Sequence, residues 1–325
     1  MTIIKNALST NRAEELGYDV WEDFVVPPFF NDLAIYETRK PKLIVGGRGC
    51  GKTMLLRYLA HQSAFSTSRS VVPDEALLHI GLYWRADTQF ANAMQRRNIS
   101  SDIWASAFEH FAALLLGTEF LRSLASIAKS KYNKVSAGDL AGLRFSLIQA
   151  FDSTLPEDYD GLEKSFQRRI HQLESWVSDV RKAEEPRFLP GMKFLVALIN
   201  EVRNQLPVLQ SAVFFAYLDE YENLTVSQQE IVNTWVKLSE SPLVFNLAMK
   251  RNGFQTRNTV GTETLSDIHD FREHDIEEYL ENQFEGLAAE ILFLRLSKAG
   301  VKVEVDISHL HDPDKLRSSR AKTSA

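Results

Sequence analysis

Apolar residues follow two rhythms along this chain. Some runs are apolar almost without interruption. Leu43-Ile44-Val45 sits between Pro41 and Gly46, Val213 to Leu218 ends in Asp219-Glu220, and Leu243 to Met249 follows Pro242. Short unbroken apolar runs read as strands buried on both faces. A further strand is expected at Leu77 to Tyr83. Elsewhere the apolar positions recur at helical spacing. Leu55, Leu56 and Leu59 mark a helix from Thr53 to about Ala64, and Ile103, Trp104, Phe108, Phe111 and Leu115 mark one over 101–130. Further helices fit 139–152, 161–184, 190–206, Val226 to about Glu240, and 275–297.

Strands that alternate with helices imply an α/β fold layered around a parallel sheet. The helical block from 101 to 206 falls between the second strand and the strand ending in Asp219, so it should form a large helical insertion. Residues 1–20 read as a polar lead-in with one short helix. Phe24 to Leu33 carries Pro27 and Pro28, which exclude a helix interior, so an extended arm packed on the domain is expected there. His311 to Ala325 is rich in Ser, Lys and Arg and should be a disordered tail.

Composition narrows the class. The chain has 325 residues, 44% hydrophobic and 25% charged, the balance of a globular protein that can bury its own core. A formal net charge of −6 argues against a globally basic nucleic-acid binder, while leaving room for a local basic patch. One cysteine, Cys50, excludes an intrachain disulfide framework and a cysteine-based zinc site. The opening residues lack the apolar core of a signal peptide. No apolar run reaches the roughly 18 residues needed to span a bilayer. A cytoplasmic protein with no membrane partner is expected.

The strongest chemical signal is local. Gly46-Gly47-Arg48-Gly49-Cys50-Gly51-Lys52-Thr53 satisfies G-x-x-x-x-G-K-[ST], between an apolar strand and an amphipathic helix. The glycines let the backbone curl so that successive N–H groups point at phosphate oxygens. The helix that follows presents its positive N-terminal end to the same anion. Lys52 would place a charge on the β- and γ-phosphates, and the Thr53 hydroxyl would ligate magnesium. The second half of the site is Val213-Phe214-Phe215-Ala216-Tyr217-Leu218-Asp219-Glu220. Acidic residues at the carboxyl end of a buried strand lie where open α/β sheets bind ligands. Asp219 would hold magnesium, through a water, and Glu220 would act as general base toward the attacking water. Cys50 reads as a small packing residue, because no paired base is visible.

GGRGCGKT together with FFAYLDEYENL resembles the Walker A and Walker B motifs of AAA+ ATPases, nearest to the origin-recognition, initiator-type branch. The resemblance spans roughly residues 20–280, and its specific motifs cover only Gly46 to Thr53 and Phe214 to Leu224. It implies a three-layer P-loop NTPase core, ATP with Mg2+, and an oligomer in which a neighbour supplies an arginine. Carried over, Lys52 and Thr53 match the Walker A pair, and Asp219 and Glu220 the Walker B pair. A sensor residue should sit near the end of the strand Leu243 to Met249. Lys250 and Arg251 are the better placed candidates, whereas Asn246, mid-strand, reads as a core amide. Arg257 or Arg272 could act on a neighbour, although a solvated arginine is the plainer reading of each. The chain beyond 275 is short for both the helical lid and the DNA-binding winged helix that often follow in that group. The expected division is therefore an ATPase domain over 1–275, a partial helical lid over 276–310, and the tail.

Other readings are weaker. The guanine-reading Asn-Lys-x-Asp is absent, since Asn133-Lys134 is followed by Val135-Ser136, and no LSGG-like signature occurs. His309, His311, Asp312 and Asp314 form a loose group in which a solvated segment is the plainer reading than a metal site. The stripe Leu162, Phe166, Ile170, Leu173, Val177 and Val180 in 161–184 reads as a helix packed on its own domain, although its arginines could face a partner or nucleic acid. The expected function is an ATP-hydrolysing switch acting on DNA or a partner protein, as homo-oligomer or hetero-complex. Bacterial genome maintenance or anti-phage defence is the analogy the resemblance offers. The alternatives are a nucleotide-responsive scaffold that binds ATP to assemble with an effector and hardly turns over, and a phosphotransferase with a small-molecule acceptor.

Overall fold

The computed structural model describes residues 13–302, apart from residues 37, 96, 268 and 282. The tail at 311–325, the group around His309 and most of the expected lead-in lie outside the described residues.

Strand β1 (Lys42–Val45) leads through the glycine loop into α1 (Lys52–Leu59) and a short α2 (His61–Ala64). Strand β2 (Ile80–Arg85) is followed by α3 (Thr88–Ala93), α4 (Ser101–Lys129), α5 (Ala137–Gly142), α6 (Tyr159–Ser178) and α7 (Gly191–Gln205). Then come β3 (Phe214–Asp219), α8 (Val226–Lys237), β4 (Leu243–Met249), β5 (Arg272–Asp275), α9 (Ile276–Leu280) and α10 (Phe284–Lys298).

The strands form one parallel sheet in the order β2-β3-β4-β1-β5. From β1 the chain crosses to the far edge at β2, whereas from β4 it passes β1 to reach β5. This reversal opens a crevice at the carboxyl ends of the central strands. Side-chain alternation assigns the two faces. Phe214, Ala216, Leu218 and Phe245 pack toward the helical block, where Phe120 of α4 meets Phe214 edge-on at 4.9 Å and Trp235 of α8 lies 5.3 Å from Phe245. Phe215, Tyr217 and Val244 face α1 and the arm, with Leu55, Leu56, Leu59, Phe24, Phe29 and Phe30. Asp219 shares the parity of Phe215 and Tyr217, so it emerges on the α1 side. This is the α/β, three-layer architecture expected from the alternation of elements.

Several elements depart from the expected boundaries, each for a physical reason. The arm is extended only to Pro27. Pro28–Leu33 forms a 3-10 turn, with Pro28 at the first position, where its missing N–H costs nothing. The helix expected from Thr53 to Ala64 breaks at Ala60, whose backbone is extended (φ −72°, ψ 156°) and bridges to Gly81 on the outer edge of β2. The expected strand Leu77 to Tyr83 is displaced, since Leu77 and Leu78 belong to a 3-10 turn and pairing with β3 carries the strand on to Arg85. In 139–152 the helix starts earlier, at a Ser136–Asp139 capping box, and stops at Gly142. Beyond it, the buried Glu201 carboxylate accepts the N–H groups of Leu147 (2.7 Å) and Ile148 (3.1 Å), which keeps that segment out of an α ladder. The helix expected over 161–184 ends at Ser178. Its stripe residues Leu162, Phe166, Leu173 and Val177 are buried in the main core, in keeping with a helix packed on its own domain. The helix expected over 275–297 is two helices, because Ile276 and Leu280 bury toward the sheet while Leu294 packs with Val25 of the arm. Strand β5 has no apolar run at all. Its Arg272-Glu273-His274-Asp275 is a short charged edge that pairs with β1 on one side.

Gly81 is required by the bridge at Ala60. A Cβ there would stand 2.2 Å from the Leu59 carbonyl oxygen and 2.9 Å from Ala60 Cα, and both are backbone atoms. Gly81→Ala is expected to lower stability by about 1–3 kcal/mol, read as a lower urea midpoint. An unchanged midpoint would mean that the bridge yields without cost.

Among the described residues one helix, α4, is long and apolar enough to cross a membrane by length and composition. The apolar-run reading did not anticipate it, because small and polar residues interrupt the helix. Its apolar window is 61% buried inside the protein, between the sheet, α6 and α7.

Candidate functional site

The loop after β1 has the backbone that its glycines were expected to supply. Gly49 (φ 86°) and Gly51 (φ 97°) occupy the left-handed region that side chains disfavour. Gly51 is also the N-cap of α1, and no side chain caps that end, so the first-turn N–H groups are presented to the loop. At Gly47 the neighbour is a side chain. A Cβ there would stand 2.3 Å from Glu277 Oε1, so the Glu277 carboxylate packs directly on the loop.

Lys52 folds back across the loop. Its Nζ donates to the carbonyls of Gly46 (2.7 Å) and Gly47 (2.8 Å) and lies 3.6 Å from Cys50 Sγ. Thr53, in the first turn of α1, donates its hydroxyl to Asp219 Oδ2 at 2.7 Å. The two halves of the motif, 166 residues apart in sequence, therefore meet in space. Asp219 is 1% exposed. Burial raises its pKa above the usual carboxylate value, against the opposing hydrogen bonds from Thr53, Tyr83 and the Glu220 N–H. A neighbouring cation would relieve that cost.

Glu220 follows in the left-handed conformation (φ 57°, ψ 39°), which costs a residue with a Cβ about 1–2 kcal/mol. The turn swings its carboxylate between two donors. Arg85 at the end of β2 donates to Oε1 at 2.8 Å, and Asn223 donates to Oε2 at 2.9 Å.

The remaining candidates divide. Arg48 is exposed at the loop's rim. Arg251 lies beside the loop, donating to Asp275 Oδ2 (2.6 Å) and pairing with Glu277 Oε2 (3.1 Å). Lys250 turns instead to Glu222, 3.1 Å away. Asn246 sits mid-strand in β4, short of its carboxyl end, where its Oδ1 accepts the Lys42 N–H at 2.9 Å. Arg257 pairs with Asp267 and lies over the rings of Phe254 and Phe271. Arg272 pairs in register with Lys42, at the end of β1 remote from the loop.

Residues that the motifs did not reveal complete the site. Tyr83 of β2 donates its hydroxyl to Asp219 Oδ2 at 3.0 Å, and burial, reinforced by Asp219, raises its pKa far above the ordinary phenol value. Tyr83, Arg85 and Glu277 carry no local signature, because β2–β3 register and the β5–α9 corner bring them in. Asn223, three residues beyond Glu220, was within reach of the motif reading.

A cavity of about 860 Å3 opens beside the loop, lined by Cys50 and Met54, by Phe24 and Phe29 of the arm, and by Leu287 and Ile291 of α10. Its apolar walls beside a loop of N–H donors suit a ligand with a flat apolar end and an anionic end. Thr53 and Asp219 supply hard oxygen donors of the kind a small divalent cation takes, so the residues present fit both nucleotide and magnesium.

A family model described as ORC-CDC6-like matches residues 6–324. No curated protein and no solved structure matches the chain.

Proposed function

Because the chain belongs to the ORC-CDC6-like family, of AAA+ ATPase-type nucleotide-binding proteins, we propose that it binds ATP with magnesium and hydrolyses it as a switch that acts on DNA or on a partner protein. The observation that carries the proposal is the meeting of Thr53 with Asp219 at 2.7 Å, beside a loop crossed by Lys52.

In this reading the backbone N–H groups of Gly47 to Thr53 cradle the phosphates and the Lys52 ammonium neutralises them. Thr53 and Asp219 hold magnesium, which supplies further charge neutralisation at the phosphates when bound. Glu220 takes the proton from the attacking water. Arg251 is the better of the two sensor candidates, being joined through Glu277 to the loop. The arm and α10 enclose the nucleoside end. Residues 1–275 make the ATPase domain and 276–310 a partial lid, so that loss of the γ-phosphate would be felt by the lid. Assembly with further copies or other subunits belongs to the same proposal. Arg272 is exposed and its side chain has no partner among the described residues, whereas Arg257 is tied to Asp267. Arg272 is thus the freer of the two to reach a neighbour. Genome maintenance or anti-phage defence is the setting this reading suggests.

One observation favours the scaffold reading. Both carboxylate oxygens of Glu220 are held, by Arg85 and Asn223, and a base so held turns over slowly until a partner frees it. Phosphate release from ATP by purified protein, alone and with duplex DNA, separates the two. Turnover supports the switch. Tight ATP binding without turnover in either condition selects the scaffold.

A further inference from the structure

We propose that Tyr83 is a positioning residue for the cation site, its hydroxyl reaching across from β2 to fix the orientation of the Asp219 carboxylate. The inference rests on the nucleotide reading above. Asp219 Oδ2 accepts from two hydroxyls, Thr53 at 2.7 Å and Tyr83 at 3.0 Å, while Oδ1 accepts the Glu220 N–H at 2.9 Å. Thr53 would ligate the cation through an oxygen lone pair while its proton stays on Asp219, so its place is tied to the cation. Tyr83 is assigned no cation contact and meets the carboxylate from the side of β2.

The register of the sheet puts Tyr83 in place. Arg85 pairs with Asp219 and Tyr83 with Tyr217, so all four side chains leave the same face, and Tyr83 leans along β2 to reach the carboxylate. Tyr83 is 6% exposed, and its ring is gripped from behind. The Arg57 guanidinium lies 5.8 Å from the Tyr83 ring centroid and 5.0 Å from that of Tyr18. Arg57 in turn donates to the carbonyls of Ala13 and Leu16. An unbroken line of contacts thus runs from the N-terminal segment through Arg57 and Tyr83 to the cation-binding carboxylate. Partners that orient a metal ligand from behind set affinity, and removing one costs about 10–100-fold.

Tyr83→Phe keeps the packing and deletes the donor. The test is binding of a fluorescent ATP analogue to the full chain, in EDTA and across a magnesium titration, beside wild type and Asp219→Asn. The expected result is EDTA affinity within about twofold of wild type, with the magnesium midpoint raised about tenfold. A midpoint unchanged in Tyr83→Phe but raised in Asp219→Asn would overturn the proposal. Equal weakening with and without magnesium, together with a lower melting temperature, would also overturn it, since a structural role alone produces that pattern. A wild-type chain that binds no analogue under either condition would instead refute the nucleotide reading itself.

Discussion

Replacing Lys52 with alanine is expected to lower ATP affinity and turnover by at least about a hundredfold, the scale on which a preorganised charge-stabilising donor is felt in an enclosed site. The Lys52 ammonium crosses the loop, 2.7 Å from the Gly46 carbonyl and 2.8 Å from that of Gly47. Those carbonyls hold the ammonium against the loop that is proposed to take the phosphates. Alanine removes the charge and vacates the partly buried Lys52 position, through which water can reach the carbonyls of partly buried Gly47 and buried Gly46. The fold should therefore survive, with a melting temperature close to wild type. Measurement of ATP binding by calorimetry checks the prediction. Retained micromolar binding in Lys52→Ala would place the phosphates elsewhere and remove the basis for the proposed function.

Glu220→Gln has the second large expected effect, and its signature differs. Turnover should fall by about a hundredfold or more, the contribution of a general base, while ATP affinity stays within severalfold of wild type. The amide keeps the shape and loses the basicity. It also disturbs the clasp, because a glutamine offers one acceptor oxygen where Arg85 and Asn223 now each find one. The variant should accordingly trap bound ATP, visible as nucleotide that co-purifies or dissociates without phosphate release. Full single-turnover hydrolysis by Glu220→Gln would sink the assignment of the base. In the scaffold reading the wild type already turns over little, and the substitution should leave its ATP content unchanged.

The combination with Tyr83→Phe is informative. The three substitutions strike the phosphates, the water and the cation separately, and their effects should be distinguishable by whether binding, turnover or the magnesium midpoint moves.

The glycine loop and the acidic strand end are legible along the chain itself. The loop from Gly46 to Thr53 is contiguous, so its chemistry lies in consecutive residues and their backbone preferences. The strand ending in Asp219-Glu220 was legible for a related reason. A parallel strand buried on both faces must be apolar throughout, so two carboxylates at its end mark the sheet's edge toward solvent and ligand. The long helices announced themselves by spacing, as did the alternation that implies a parallel sheet.

Other features had no local source. β5 is a strand only because β1 offers a free edge to Arg272-Glu273-His274-Asp275, and nothing apolar marks it. The helix after the loop breaks at Ala60 because the edge of β2 needs a partner at Gly81. The segment after Gly142 leaves the helix because Glu201, distant in sequence, takes its N–H groups. Tyr83 and Arg85 join Asp219 and Glu220 by register alone. The glycine loop, the acidic strand end and the α/β class are written along the chain, because hydrophobic period and glycine freedom act between residues close in sequence. That Tyr83 and Arg85 reach Asp219 and Glu220 was settled only on folding, because strand order and register bring together residues whose identities carry no mark of one another.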